Sequence, residues 1–170
     1  MRGIVLAALF LGLALTLAAT SSDAAVQPGR GIALPAELPE PAVPSANPFS
    51  PAKAELGRYL FHDRRLSGNG TYACASCHQQ ARAFTDGRTT AIGATGEPHR
   101  RNSMSLANVV YNSVFNWADS ETTSLEQQAL VPMFGSDPIE MGMAGVEDRI
   151  LAAIAADPDY RRLFPAAFPG

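Results

Sequence analysis

The chain has 170 residues, 46% of them hydrophobic and 17% charged, which is one domain's length with enough apolar material for a core. That balance excludes a disordered chain, and a net charge of -3 with no basic stripe argues against a nucleic-acid partner. Fourteen glycines and 13 prolines without a period exclude a collagen-like repeat.

In chain order, Met1-Arg2 is followed by an apolar run from Gly3 to Ala19, then small polar residues and Ala24-Ala25. A basic start, an apolar stretch and a small-x-small exit predict a signal peptide over residues 1–24, cleaved after Ala24. The competing reading is an uncleaved anchor, for which a run of about 17 residues is at the lower limit. Cleavage would place the product in the periplasm, free of the membrane. Residues 25–47 are dense in Pro, Ala and Glu, and Pro at that density predicts an extended lead-in.

The domain proper is expected over residues 48–170. Ser50 as N-cap and Pro51 in the first turn predict a helix to about His62, with Leu56, Tyr59 and Leu60 on its buried face. A turn at Ser67-Gly68-Asn69-Gly70 precedes the cysteine segment, and a glycine-studded loop follows from Phe84 to Pro98. The spacing of Leu106, Val109, Val110, Val114 and Trp117 predicts the longest helix, from about Ser103 to Trp117. Further helices are expected at Ser124–Val131 and Val146–Ala156. A last short one, capped by Asp157-Pro158, should reach Phe164. No alternating strand pattern appears, so the predicted fold is all-α with long ordered loops. Loops of that length on a small helical scaffold usually wrap something.

Both cysteines of the chain lie in Cys74-Ala75-Ser76-Cys77-His78, the C-x-x-C-H attachment sequence of c-type haem. Two thiols three positions apart on a helical turn reach both vinyl groups of one porphyrin, and His78 then lies under the iron as proximal ligand. The rival readings are weaker. A thioredoxin-like motif lacks its βαβ context, a disulfide across two residues would be strained, and zinc lacks a second ligand pair. A Met or His in the sixth iron position would make an electron-transfer protein, whereas an open position would admit peroxide. The candidates are His62, His99, Met104, Met133, Met141 and Met143, and spacing does not choose among them. The ordinary role of each Met is core or loop packing, and His62 and His99 are expected at the surface.

The surrounding blocks extend the motif. Leu56-Gly57-Arg58-Tyr59-Leu60-Phe61-His62-Asp63-Arg64-Arg65-Leu66-Ser67 precedes it, and Arg101-Asn102-Ser103, Leu106-Ala107-Asn108, Trp117, Leu125-Glu126-Gln127-Gln128-Ala129 and Asp137-Pro138-Ile139-Glu140-Met141 follow. Together they resemble the bacterial di-haem cytochrome c peroxidase and MauG superfamily, in its N-terminal domain where peroxide reacts. The blocks around Cys77, Met104 and Gln128 are similar to a MauG-like subgroup that includes the di-haem enzyme of methanobactin gene cassettes. The resemblance implies a cytochrome c-like helical haem domain and a peroxidase-type oxidoreductase using hydrogen peroxide. It implies an electron donor such as a small cytochrome c or copper protein, or a protein tryptophan as substrate.

By the same resemblance, Glu140 and Gln128 are the distal-pocket acid and amide, and Trp117 relays electrons between two haems. Asn102 lies near an inter-haem calcium site. The family's capping His, sixteen residues after the proximal one, is here Ala94, which implies an open or water-bound iron as in the MauG-like branch. The usual Phe-Trp-Asp-Gly-Arg segment is replaced by Asn116-Trp117-Ala118-Asp119-Ser120. With only one C-x-x-C-H, the chain is expected to be a fragment lacking the second haem domain, the alternative being a partner chain that supplies the second haem. The alternative function is a mono-haem c-type electron-transfer protein.

Overall fold

The computed structural model describes residues 34–117 and 119–170; the predicted signal peptide and the start of the lead-in lie outside them. Among the described residues the α-helices are α1 (Pro51–His62), α2 (Cys74–Cys77), α3 (Leu125–Phe134), α4 (Glu147–Ala156) and α5 (Pro158–Ala167). Single 3-10 turns occur at Arg64–Leu66, Gln80–Arg82 and Val109–Tyr111. No strand forms among the described residues, only the isolated bridges Gln79–Thr85 and Ile92–Pro98. The fold is all-α with long loops.

The helix starts follow local chemistry. Ser50 Oγ accepts from the Lys53 N–H at 3.1 Å, with Pro51 in the first turn. Ser124 Oγ accepts from Gln127 N–H at 3.1 Å, and Asp157 Oδ1 from Asp159 N–H at 2.8 Å with Pro158 behind it. Each cap satisfies a donor that the first helical turn leaves open.

The core lies where α1, α4 and α5 meet. Leu56, Ile150, Ile154, Tyr160, Leu163 and Ala167 are buried there, and Met141 and Met143 reach in from the loop after α3. Tyr59 meets Tyr160 edge-on at 6.4 Å, so the predicted inner face of α1 is the observed one. A polar link closes the same corner: Tyr160 Oη donates to Asp63 Oδ2 at 2.8 Å. Arg65 bridges Asp63 at 2.7 Å and Asp157 at 2.9 Å.

The predicted helix over 103–117 does not form. That segment is a loop with one 3-10 turn, entered through Asn108 in the left-handed region at φ 57°. Asn and Ser recur through it, and such side chains compete with helical hydrogen bonds while Val109-Val110 disfavour the helix by branching. Its main chain is used elsewhere: the carbonyls of Asn102 and Met104 accept from Trp117 and His78. Residues 34–47 run over the surface through two turns. They are fastened where Tyr111 Oη donates to the Pro39 carbonyl and Asn47 Nδ2 to Glu126 Oε1.

Candidate functional site

The Cys-x-x-Cys-His segment is wound into the single turn of α2, closed by His78 N–H to the Cys74 carbonyl at 2.9 Å. Ser76 Oγ accepts from Ala73 N–H at 3.0 Å, which steadies its start. Both cysteines are free and half-buried, and spacing of three places them on one side of the turn. Burial pushes both thiols up, Cys77 further with the charge of Asp86, so neither is tuned to be a reactive thiolate.

His78 is held by main-chain carbonyls. Its Nδ1 lies 2.9 Å from Phe84 O and 3.0 Å from Met104 O. Carbonyls only accept, so Nδ1 carries the proton and Nε2 keeps a bare lone pair, the form a metal-ligating imidazole takes. Ala83 and Phe84 sit at φ 52° and 60°, two successive left-handed residues without glycine, and this turn presents the Phe84 carbonyl to the ring. Phe61 of α1 packs against the His78 and Phe84 rings at 6.5 Å each.

The loop after α3 shares a cavity with His78. Its backbone is pinned at Ala94 N–H to Glu140 O (2.7 Å), Gly68 N–H to Met141 O (2.8 Å) and Met141 N–H to Pro132 O (2.9 Å). Along it the residues alternate: Pro138 and Glu140 line a cavity of about 350 Å³ shared with Cys77 and His78, while Ile139 and Met141 face a second hollow. Burial pushes the Glu140 carboxyl up, opposed by the nearby His99 and His78. Gln128, one turn along α3 from Leu125, lines the same cavity.

The structure thus gathers His78, Gln128, Glu140, Trp117 and Asn102 around one cavity. Trp117 is 47% exposed, with Nε1 donating to the Asn102 carbonyl at 3.1 Å and the Arg101 guanidinium 5.9 Å from its ring centroid. Asn102 is exposed, and among the described residues no group of three or more His, Cys or acidic side chains gathers as a metal site. Ala94 is fixed from both sides, by Glu140 O and by Asn69 Nδ2 donating to its carbonyl at 2.7 Å. Of the other candidate ligands, Met141 and Met143 are spent in the core and Met133 packs against it. His62 is exposed, with Nδ1 donating to Arg58 O.

His99 overturns the expectation of exposure: it is 9% exposed and lines the cavity. The loop from Ala91 to Arg101 folds back on itself, with His99 N–H on Ala91 O (2.8 Å) and Ala91 N–H on Arg101 O (2.9 Å). The signal lay in Gly93-Ala94-Thr95-Gly96, a turn that pairs Ile92 with Pro98 and so sets His99 opposite Ala91.

Two free thiols one turn apart, a bare imidazole nitrogen and an adjoining cavity fit a c-type haem. Arg100, paired with Asp137, and Arg101 lie at the cavity wall together with Asp119 and Glu140.

Comparison with known proteins gives the same direction. A family described as di-haem cytochrome c peroxidase matches residues 51–170. A methylamine utilization protein MauG of Methylorubrum extorquens is 38% identical over 125 residues, 74% of this chain and 34% of its own. The cytochrome-c peroxidase IdrP1 of Denitromonas iodatirespirans is 38% identical over 159 residues, 92% of this chain and 40% of its own. The crystal structure of a MauG-like protein associated with microbial copper homeostasis aligns at TM-score 0.77 and 52% identity, covering 80% of this chain and 39% of that one. The chain therefore spans no more than 40% of the length of each of these relatives.

Proposed function

The chain belongs to the di-haem cytochrome c peroxidase family, whose members are haem-dependent oxidoreductases, and from that premise we propose that it is the domain where hydrogen peroxide reacts. The observation that carries this reading is one cavity lined by His78, Gln128 and Glu140 together. Held by thioethers to Cys74 and Cys77 with His78 as proximal ligand, a haem c would supply a redox-active iron able to take peroxide.

The chain's own residues do the rest. The Phe84 and Met104 carbonyls fix the His78 tautomer and aim its Nε2. Glu140, half-buried on a loop pinned by three backbone hydrogen bonds, accepts a proton at its carboxylate from one peroxide oxygen and returns it to the other. The Gln128 amide supplies a neutral donor beside it. Trp117 passes electrons in from a second haem, a role supported by its position at the cavity edge and its partial exposure. That haem needs an attachment motif of its own, and the single C-x-x-C-H of these 170 residues serves the first haem. Calcium at Asn102 belongs to the same reading, with its remaining ligands supplied by the half that carries the second haem.

Residues 1–24 act as a signal peptide, and the domain works in the periplasm behind the Pro-rich lead-in. Identity of 52% to the MauG-like protein favours the MauG-like branch, with a protein tryptophan as substrate and a setting in copper homeostasis. A small cytochrome c or copper protein is the donor if the activity is that of a peroxidase. Of the mono-haem carrier's thioether candidates, Met141 and Met143 fill the core and Met133 packs against it, while Met104 lines the cavity and gives its carbonyl to His78 Nδ1.

The test is the ferric absorption spectrum of the haem-loaded protein before and after one equivalent of peroxide. A high-spin spectrum that changes on addition is expected. A purely six-coordinate low-spin spectrum that ignores peroxide would overturn the reading.

A further inference from the structure

His99 is the part of the cavity wall that the proposed chemistry leaves unused. It is 9% exposed, and its Nε2 has no hydrogen-bond partner, although buried polar atoms are nearly always paired. Its backbone is fixed by the folded-back loop, so the ring has a defined seat. That seat is against the segment carrying Glu140. A Cβ built on Gly93 would lie 2.7 Å from His99 Nε2 and 3.0 Å from the Glu140 carbonyl oxygen, so one glycine is flanked by both residues.

Three of the other polar groups around the cavity are engaged elsewhere. The Nδ1 of His78 is held by two carbonyls, Arg100 pairs with Asp137 at 2.8 Å, and Arg101 lies over Trp117. Ser103 Oγ, like His99 Nε2, is buried with no hydrogen-bond partner. The Glu140 main chain is pinned while its carboxyl group has no such tether, and His99 is the free imidazole beside it.

We propose that His99 is a positioning residue for Glu140: its Nε2, without a partner in this structure, takes the carboxyl group as its partner when that side chain turns to it, and holds it aimed into the cavity. The role rests on the peroxide-domain reading above. It assigns His99 no bond to iron.

The experiment compares haem-loaded wild type with His99→Leu, His99→Gln, Glu140→Gln and the His99→Leu/Glu140→Gln double variant. Two quantities are read: the C–O stretching band of the ferrous carbon monoxide complex, which senses polar groups around a bound gas, and the bimolecular rate with peroxide. His99→Leu should shift the band and slow the peroxide reaction about tenfold to a hundredfold, with the ferric spectrum unchanged. His99→Gln, which keeps a donor, should restore most of both, and it carries the test if the Leu variant fails to hold haem. In the double variant His99→Leu should add nothing to Glu140→Gln. Additive effects, or a wild-type band in His99→Leu, would overturn the proposal. So would a low-spin wild type that turns high-spin in His99→Leu, which would make His99 an iron ligand. If Glu140→Gln reacts with peroxide at the wild-type rate, the acid–base role of Glu140 fails, while the band-shift cycle still decides whether His99 holds it.

Discussion

At His78 the atoms that matter most belong to the main chain of other residues. Two carbonyls choose its tautomer, and one is delivered by the left-handed pair Ala83-Phe84, a conformation costing about 1–3 kcal/mol per residue that the surroundings must offset. Gly93 shows the same economy from the other side. A Cβ there would meet the Ile139 carbonyl at 2.2 Å, so Gly93→Ala should lower stability by about 1–3 kcal/mol in denaturant titration. Glu140 carries the pH dependence. Burial raises its carboxyl above the ordinary range, so the peroxide rate should climb with pH through that raised value as the ionised base forms. Glu140→Gln should remove that limb and cut the rate by about 10²–10⁴-fold in stopped-flow mixing. At this scale the cysteines and His78 were legible because their chemistry is packed into five consecutive residues. His99 was not, since its burial comes from a loop folding back on itself, and Pro-His-Arg-Arg reads as a polar surface run.

At the scale of elements, local signals and packing agreed wherever a cap stood before a periodic run. Ser50, Ser124 and Asp157 mark α1, α3 and α5 within a residue, and Ser50→Ala should cost about 1 kcal/mol by thermal or denaturant melting. The 103–117 segment misled because its apolar residues do recur at helical spacing. Leu106 and Val109 face the cavity from a loop, and periodicity cannot tell a cavity wall from a helix face. The corner between α1 and α5 makes a separate prediction. Burial works to raise the Asp63 carboxyl, but the hydrogen bonds from Arg65 and Tyr160 outweigh it and hold the group below its usual value. A depressed carboxyl stabilises the fold above its unfolded pKa, and that contribution is lost as pH falls through the folded value. Asp63→Asn should therefore flatten the acid side of the stability profile, read as melting temperature against pH.

The whole molecule divides its labour between two sides. α1, α4 and α5 make the core, while α2, the loops and the inner face of α3 make the cavity. Ile150, 1% exposed, lies wholly on the first side. Ile150→Ala should destabilise by about 2–5 kcal/mol in denaturant titration and leave the ferric spectrum of the haem-loaded protein as it was.

One stretch of chain belongs to both sides. Along 138–141 the even-numbered side chain at Glu140 serves the cavity and its odd-numbered neighbour Met141, 5% exposed, serves the core. The two are neighbours in the chain, joined by a single peptide bond. An inherited change at Met141 made for packing would therefore swing the acid next door, so durability and reactivity are pleiotropic here and evolve only as a pair.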